Sequence, residues 1–233
     1  MFKNIMLKIS GESLAGDNEQ GFDFNILNDL SKNIKILVDK NISISIVLGG
    51  GNFIRGSSFS NGVVDRVTSD YMGMLATIMN ALSLQSCLEQ INLPTRVQSA
   101  ISMSQIAEPY IKRKAVRHLE KNRIVIFAAG TGNPFFSTDT AASLRASEMG
   151  CSKILKATKV NGIYDSDPNL DKNAKLIKNI TYSEVISRNL RVMDLTAISL
   201  AKESSIPIYI TNIFEKDSLI RALKEEGNYS KIH

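Results

Sequence analysis

RIVIFAAGTGNPFFSTDTAASLR, residues 123–145, is the stretch that decides the fold. It opens with an apolar, mostly β-branched run at 124–127, which is typical of a buried strand. A turn rich in glycine at 130–134 ends the strand, and Ser137 or Thr138 can cap a following helix. Such a turn leaves backbone N–H groups free at a helix N-terminus and suits an anionic ligand, although an ordinary loop can have the same composition.

The overall composition is that of an ordinary globular protein, and its mildly positive charge also suits a polyanionic small substrate. The chain has 233 residues, enough for one large domain or two lobes that share a core, and 43% of them are hydrophobic. The formal net charge is +5, but the basic residues are spread along the chain and are not interleaved with aromatic residues. This pattern argues against a nucleic-acid partner.

Cysteine usage and hydropathy indicate a cytoplasmic protein. Cys87 and Cys151 are isolated, and the two histidines lie far from both, so the sequence shows neither a disulfide framework nor metal-ligand spacing. The N-terminus lacks the pattern of a signal peptide. Residues 71–88 carry no charge, but several of them are polar and the stretch falls just short of spanning length. We therefore expect no membrane segment.

Two further strands each run into a turn that carries polar or glycine residues. The strand at 5–9 contains Lys8 and ends at Ser10-Gly11, where a lysine either contacts phosphate or is simply exposed. The strand at 42–48 runs into three glycines and Asn52, which either let the backbone approach a ligand or form a hinge. Arg55 follows within reach of phosphate oxygens.

Strands and helices alternate along the whole chain. The other predicted strands are 93–97, 153–157 and 206–210, the predicted helices are 24–38, 63–88, 107–121, 181–188, 195–202 and 216–223, and residues 169–179 are a predicted polar loop. This order predicts an α/β fold, a three-layer αβα sandwich with a mainly parallel central sheet. Ligands of such sheets sit beyond the carboxyl ends of the strands, so the turns described above should meet at one edge.

The helix predicted at 63–88 has apolar residues on more than one face. Such a helix must be covered on several sides, either in the core of the monomer or at a subunit interface. We favour the interface.

Common catalytic motifs are missing. The sequence has no GxxxxGK[ST], no GxGxxG in its first strand–helix unit, and too few histidines for a Ser-His-Asp or Cys-His arrangement. Phosphoryl transfer needs none of these, because it depends on positioning and on neutralising charge with Mg²⁺, lysine or arginine.

Five motifs resemble those of the amino acid kinase superfamily and, more narrowly, of the bacterial uridylate (UMP) kinases. They are KISGE at 8–12, GGGN at 49–52, GTGNPFFSTDTAA at 130–142, KATKVNGIYDSDP at 156–168 and VMDLTA at 192–197. The resemblance covers nearly the whole chain in the right order. It implies a single domain over 1–233, with an acceptor part at about 1–150 and an ATP part at about 151–233.

The resemblance also implies a reaction, ATP + UMP to ADP + UDP, with Mg²⁺ accompanying ATP. It implies residue roles as follows: catalytic, Lys8, Asp139 and Asp194; ATP-binding, Lys8, Ser10, Gly11, Gly51, Arg55, Thr158, Tyr164 and Asp167; UMP-binding, Gly50, Arg55, Asp70, Thr131, Gly132, Asn133, Phe135 and Thr138. No residue is expected to act as a general base, because the UMP phosphate is already an anionic nucleophile.

Assembly and regulation are implied in the same way. The family forms homohexamers built from dimers, which would pair here through the helix at 71–88. Arg96 and Arg123 match positions that contact an activating GTP, but the loop at 16–23 departs from the family's Glu-Gly-Phe pattern. Feedback inhibition by UTP is also implied.

Two other functions fit the same sequence. One is a kinase of the same fold that phosphorylates a carboxylate or carbamate, against which the Phe135-Phe136 pair argues because aromatic rings suit a nucleobase. The other is a storage or regulatory subunit that binds nucleotide without turnover.

Overall fold

A parallel sheet organises the structure, which is a computed structural model that describes residues 4–54, 64–166, 170–171, 173–190 and 192–233. The strands are β1 (Asn4–Ile9), β2 (Ser43–Leu48), β3 (Thr95–Ser99), β4 (Glu108–Pro109), β5 (Ile124–Ala128), β6 (Lys153–Thr158), β7 (Ile163–Tyr164), β8 (Leu176–Ile177), β9 (Asn179–Ile180), β10 (Ile208–Asn212) and β11 (Ser230–Ile232). The helices are α1 (Gly11–Leu14), α2 (Phe24–Val38), α3 (Arg66–Gln90), α4 (Lys112–Glu120), α5 (Thr138–Glu148), α6 (Tyr182–Ser187), α7 (Leu195–Glu203) and α8 (Ser218–Leu223).

Nine of these strands form the main sheet, in the order β4-β3-β5-β2-β1-β6-β10-β11-β9, and β7 and β8 pair separately. All neighbours from β4 to β10 are parallel, whereas β11 runs antiparallel to β10. The prediction of a mainly parallel sheet is therefore confirmed. The chain proceeds from β1 toward β2 on one side and later from β6 toward β10 on the other, so the topological switch lies between β1 and β6.

Side chains of β1 alternate between the two faces of the sheet, as the strand geometry requires. Leu7 and Ile9 belong to a core covered by α2, α3 and α8, and Met6 belongs to a second core formed with α5, α6 and α7. The predicted three-layer sandwich is confirmed. No helix in the described ranges is both long and apolar enough to cross a bilayer.

Helix starts agree with the capping residues in the sequence. Ser137 caps α5 by accepting hydrogen bonds from two backbone N–H groups, at 3.0 and 3.2 Å. Asp65 caps α3 in the same way, and Asp194 caps α7 by accepting a hydrogen bond from one backbone N–H group. These caps fix the directions in which the helices leave the carboxyl edge of the sheet.

Several boundaries differ from the prediction. The helix predicted at 107–121 begins only at Lys112, because Pro109 disfavours helix before it and sits in the edge strand β4. The strand predicted at 206–210 is 208–212, since Pro207 offers no N–H to a ladder. The loop predicted at 169–179 contains β8 and the start of β9, and neither α1 nor β11 was predicted.

The glycines after β2 allow backbone segments to touch each other. A Cβ on Gly11 would lie 2.6 Å from both Gly49 O and Gly51 N, so the turns after β1 and β2 pack backbone against backbone. A Cβ on Gly50 would lie 2.8 Å from the carbonyl oxygen of Gly73 in α3. Glycine is therefore required here by the protein's own packing, before any ligand is considered.

We expect Gly50→Ala to lower the free energy of unfolding by about 1–3 kcal/mol, because the new methyl group collides with backbone. Gly73→Ala is the control, since its Cβ would meet nothing within 4 Å and it lies inside a helix. That variant should be neutral or more stable by up to about 1 kcal/mol. Urea unfolding measures both, and equal effects would contradict the packing argument.

Candidate active site

Two lysines face each other across neighbouring strands at the topological switch. Lys8 of β1 and Lys156 of β6 are register partners, and both are buried. Each interrupts the apolar run in its strand. Like charges directly opposite each other destabilise a sheet unless something neutralises them.

Asp139, in the first turn of α5, supplies the opposite charge to both lysines. Its Oδ1 lies 2.7 Å from Lys8 Nζ, and its Oδ2 accepts a hydrogen bond from Lys156 Nζ at 2.8 Å. Lys156 Nζ also donates to the carbonyl oxygen of Val192 at 2.5 Å. One carboxylate therefore holds two ammonium groups side by side at the carboxyl edge of the sheet.

The two ammonium groups determine how Asp139 titrates. Burial alone would raise the pKa of Asp139, but Lys8 and Lys156 outweigh burial and hold this pKa at about 2. Burial lowers the pKa of Lys156, and the ammonium of Lys8 lowers it further against the opposing effect of Asp139. The carboxylate is therefore ionised at neutral pH and serves as an anchor for the lysines.

Asp194 forms hydrogen bonds with the N-terminal ends of both α5 and α7. Its Oδ1 accepts hydrogen bonds from Ala197 N at 2.8 Å and from Thr140 Oγ1 at 2.9 Å, and its Oδ2 accepts from the hydroxyl of Ser137. The carboxylate thus caps α7 while it contacts the cap and first turn of α5. Together with Asp139 and Lys156 it lines a cavity next to the lysine pair.

A cleft of about 180 Å³ opens between α3 and the turns after β2 and β5. Its lining includes five residues that the sequence assigned to nucleotide binding: Gly50, Gly51, Asp70, Thr131 and Thr138. They come from three separate parts of the chain. The expectation that these turns meet at one edge of the sheet is confirmed.

Asp70 and the aromatic pair form one wall of this cleft. Asp70 accepts a hydrogen bond from the N–H of Phe135 at 2.7 Å and from Arg66 Nε at 2.9 Å. The ring of Phe135 is 67% exposed, and the guanidinium of Arg66 lies 5.8 Å from its centre. Phe136, not Phe135, lines the cleft.

Other predicted residues lie outside the lining of that cleft. Ser10 and Gly11 form the start of α1, and Thr158 and Tyr164 belong to β6 and β7. Gly132 and Asn133 continue the turn after β5, where Asn133 lines a groove between α5 and α7. Arg55 and Asp167 fall outside the described residues.

The residues proposed for GTP lie at the opposite, amino-terminal edge of the sheet. Arg96 pairs with Glu89 at 3.2 Å, and Arg123 contacts Nδ1 of His118 at 3.2 Å. Arg123 also lines a separate pocket near the starts of β2 and β5. These two positions are therefore separated from the cleft by the length of the strands.

Sequence reasoning missed three residues that shape the site. Lys156 lies within a quoted motif but received no role, although a lysine in a buried apolar strand is a readable signal. Thr77 and Asn80 of α3 are buried and hydrogen-bond to the turns beside the cleft. In the sequence they are polar residues of the uncharged stretch 71–88, which carries none of the five motifs.

Comparison with known proteins identifies the family. The sequence profile described as "Amino acid kinase family" matches residues 3–212, most of the chain. The chain belongs to the amino acid kinase family.

Within this family the chain is similar to proteins named uridylate kinase. It is 52% identical over 227 residues to "Uridylate kinase" of Sulfurimonas denitrificans, covering 97% of this chain and 95% of the relative. It is 50% identical to "Uridylate kinase PUMPKIN, chloroplastic" of Arabidopsis thaliana, covering 97% of this chain and 67% of that protein. The crystal structure of UMP kinase from Ureaplasma parvum matches with a TM-score of 0.94 at 37% identity, covering 100% and 99% of the two chains. The resemblance found in the motifs is confirmed.

We expect Asp139→Asn to lower the free energy of unfolding by about 3–5 kcal/mol, because it leaves two buried ammonium groups without a counter-charge. Asp29→Asn is the matched control: its ion pair with Lys32 is 70% exposed on both sides and should change stability little. Urea unfolding measures both variants. A small effect of Asp139→Asn would show that the lysines do not depend on this carboxylate.

The pH dependence of the free energy of unfolding should also report the ionisation of Asp139. The pKa of Asp139 is about 2 in the folded protein against 3.8 for a free carboxyl, so its contribution is complete above about pH 4. It is lost as the pH falls from about 4 to about 2, because the unfolded chain then binds a proton that the folded site resists. Urea unfolding across this window should show a larger loss of stability in the wild type than in Asp139→Asn, which keeps only the losses from the other carboxyl groups. Identical pH profiles would refute the assignment.

Proposed function

We propose that this protein is a uridylate kinase, which transfers the γ-phosphoryl group of ATP to UMP and gives ADP and UDP. The observation that carries the proposal is the cleft that unites Gly50, Asp70, Thr131 and Thr138, the last of which directly precedes the Asp139 that holds the buried lysine pair. The names of the relatives at about half identity over nearly the full chain support UMP as the acceptor.

The cleft has the chemistry for a nucleoside monophosphate. Asp70 is an acceptor whose two oxygens have further lone pairs for ribose hydroxyls, even after they accept from Phe135 and Arg66. The hydroxyls of Thr131 and Thr138 can donate to the phosphate or to the base. The ring of Phe136 supplies an apolar wall for uracil. We propose Gly132 and Asn133 as further contacts through the same turn.

The lysine pair has the chemistry for the transfer. Transfer of a phosphoryl group develops charge on the equatorial oxygens, and a preorganised cation beside them stabilises the transition state. We propose that Lys8 supplies this cation, that Asp139 holds Lys8 and Lys156 in place, and that Asp194 fixes α5 and α7 around them. The UMP phosphate attacks as an anion and needs no general base.

We propose that ATP enters from the side of β6 and contacts Thr158 and Tyr164. It would reach Ser10 and Gly11 in the turn after β1 and Gly51 in the turn after β2. Arg55 and Asp167 belong to the same proposal. Mg²⁺ would come bound to the ATP phosphates, since it prefers phosphate and water oxygens in octahedral geometry. Both oxygens of Asp139 already face lysines, and the described residues contain no group of three or more potential metal ligands.

Assembly through α3 fits the exposed side of that helix. Val67, Tyr71, Leu75 and Met79 follow at intervals of four residues and are 38–48% exposed, which forms a continuous apolar stripe. A stripe of this kind supports pairing of two subunits, and we propose the homohexamer of the family on this basis. A cytoplasmic location, activation by GTP at Arg96 and Arg123 and inhibition by UTP belong to the same proposal.

We expect Lys8→Ala to lower kcat for UMP at least ~10²-fold, because one charge contact in the transition state is worth a few kcal/mol. Lys32→Ala, which removes an exposed lysine of α2, is the control and should keep normal turnover. A coupled assay of ADP release measures both, with circular dichroism to check folding. Near-normal turnover by a folded Lys8→Ala would exclude this role.

A substrate panel with ATP and Mg²⁺ tests the acceptor. UMP should be turned over in preference to CMP, dUMP and small carboxylates such as aspartate. Preference for a carboxylate would move the protein to another branch of the family. Binding of ATP without turnover of any acceptor would indicate a regulatory subunit.

A further inference from the structure

Helix α3 contacts both turns of the cleft through two buried polar side chains one turn apart. We propose that Thr77 and Asn80 are positioning residues, which hold the turn after β5 and the turn after β2 in the geometry that receives the acceptor nucleotide. The inference rests on the proposed function for its kinetic consequence, but not for its structural one. Neither residue belongs to a motif that pointed to nucleotide binding.

Thr77 holds the turn after β5. Its Oγ1 accepts a hydrogen bond from the N–H of Ala129 at 2.8 Å and donates to the carbonyl oxygen of Met74 at 2.6 Å. Ala129 and Gly130 are both left-handed, with φ of 62° and 57°. Alanine rarely adopts this conformation, so a specific contact is needed to keep it there. The hydroxyl of Thr77 thereby sets the direction in which Thr131 enters the cleft.

Asn80 holds the turn after β2. Its Nδ2 donates to Gly49 O at 2.6 Å and to Asn52 Oδ1 at 2.7 Å. Asn52 Nδ2 in turn donates to Asn80 Oδ1 at 2.9 Å and to Gly21 O at 2.8 Å. The two amides are 0% and 1% exposed, and every amide proton has an acceptor. A fully satisfied buried network of this kind is rigid and has one arrangement.

The two contacts act from one rigid element. Residues three apart on a helix lie on the same side, so α3 presents Thr77 and Asn80 together toward the carboxyl edge of the sheet. The turns they hold supply Gly50 and Gly51 on one side of the cleft and Gly130 and Thr131 on the other. The distance between Thr77 and Asn80 on α3 therefore sets the distance between the two turns that form the walls of the cleft.

Thr77→Val tests the first contact with almost no change of shape. It leaves the N–H of Ala129 without its acceptor, so we expect KM for UMP to rise on the order of tenfold. KM for ATP should stay within about twofold, since the turn after β5 faces the acceptor. Thr77→Ser, which keeps the hydroxyl, should restore the wild-type KM. An equal rise of both KM values, or no rescue by serine, would indicate a merely structural role and overturn the proposal.

Amide hydrogen exchange without any substrate gives an independent readout. The peptide containing Ala129–Thr131 should exchange faster in Thr77→Val than in the wild type and in Thr77→Ser. Unchanged exchange in Thr77→Val would overturn the proposal, even if kinetics changed. If the wild-type chain failed to phosphorylate UMP, the proposed function would fall while this comparison still decided the role of Thr77.

The amide pair is tested by a double-mutant cycle. Asn52→Ala and Asn80→Ala should each speed exchange of the peptide containing Gly49–Gly51, and the double variant should resemble either single one, because the two amides act as a unit. Additive effects would show that the amides act separately and would contradict the network. Thr77→Val carries the decision if these variants do not fold.

Discussion

The structure depends on one carboxylate placed between two lysines. Lys8 and Lys156 stand opposite each other on adjacent parallel strands, in an interior where two ammonium groups repel strongly. Asp139 makes that arrangement stable, and it reaches both lysines because α5 packs against β1 and β6. The helix N-terminus itself favours a negative charge at this place. The strand order, the start of α5 and the charges of the site therefore all bear on one group, the carboxylate of Asp139.

Local patterns in the sequence predicted the layers and most of the elements. Apolar strands, helical periodicity and caps such as Ser137 and Asp194 are encoded within a few residues, so they can be read without a structure. The convergence of turns also followed, because parallel strands must bring their carboxyl ends to one edge. The nucleotide-binding roles came from the family resemblance, and the structure adds that several of the residues concerned share a cleft.

Contacts between distant parts of the chain could not be read in this way. The ion pair of Lys156 with Asp139 depends on which elements become neighbours in the fold. The same is true of the hydrogen bonds from α3 to the turns of the cleft. The glycines after β2 suggested a ligand-based explanation, whereas Gly49 packs against Gly11 and Gly50 against the backbone of α3. The short strand β11 was not predicted because three residues are too few to show a hydropathy pattern. Its position is set by pairing with β10.

The lysine pair also bears on the relative stability of the protein with and without a bound ligand. Lys8 and Lys156 share Asp139 as their ion-pair partner, and both lysines are buried. Under the proposed function, the phosphate groups of a nucleotide would be a further counter-ion, and a ligand that binds only the folded protein stabilises it. The resistance of the chain to unfolding, and with it to proteolysis, would then rise and fall with the supply of nucleotide around it.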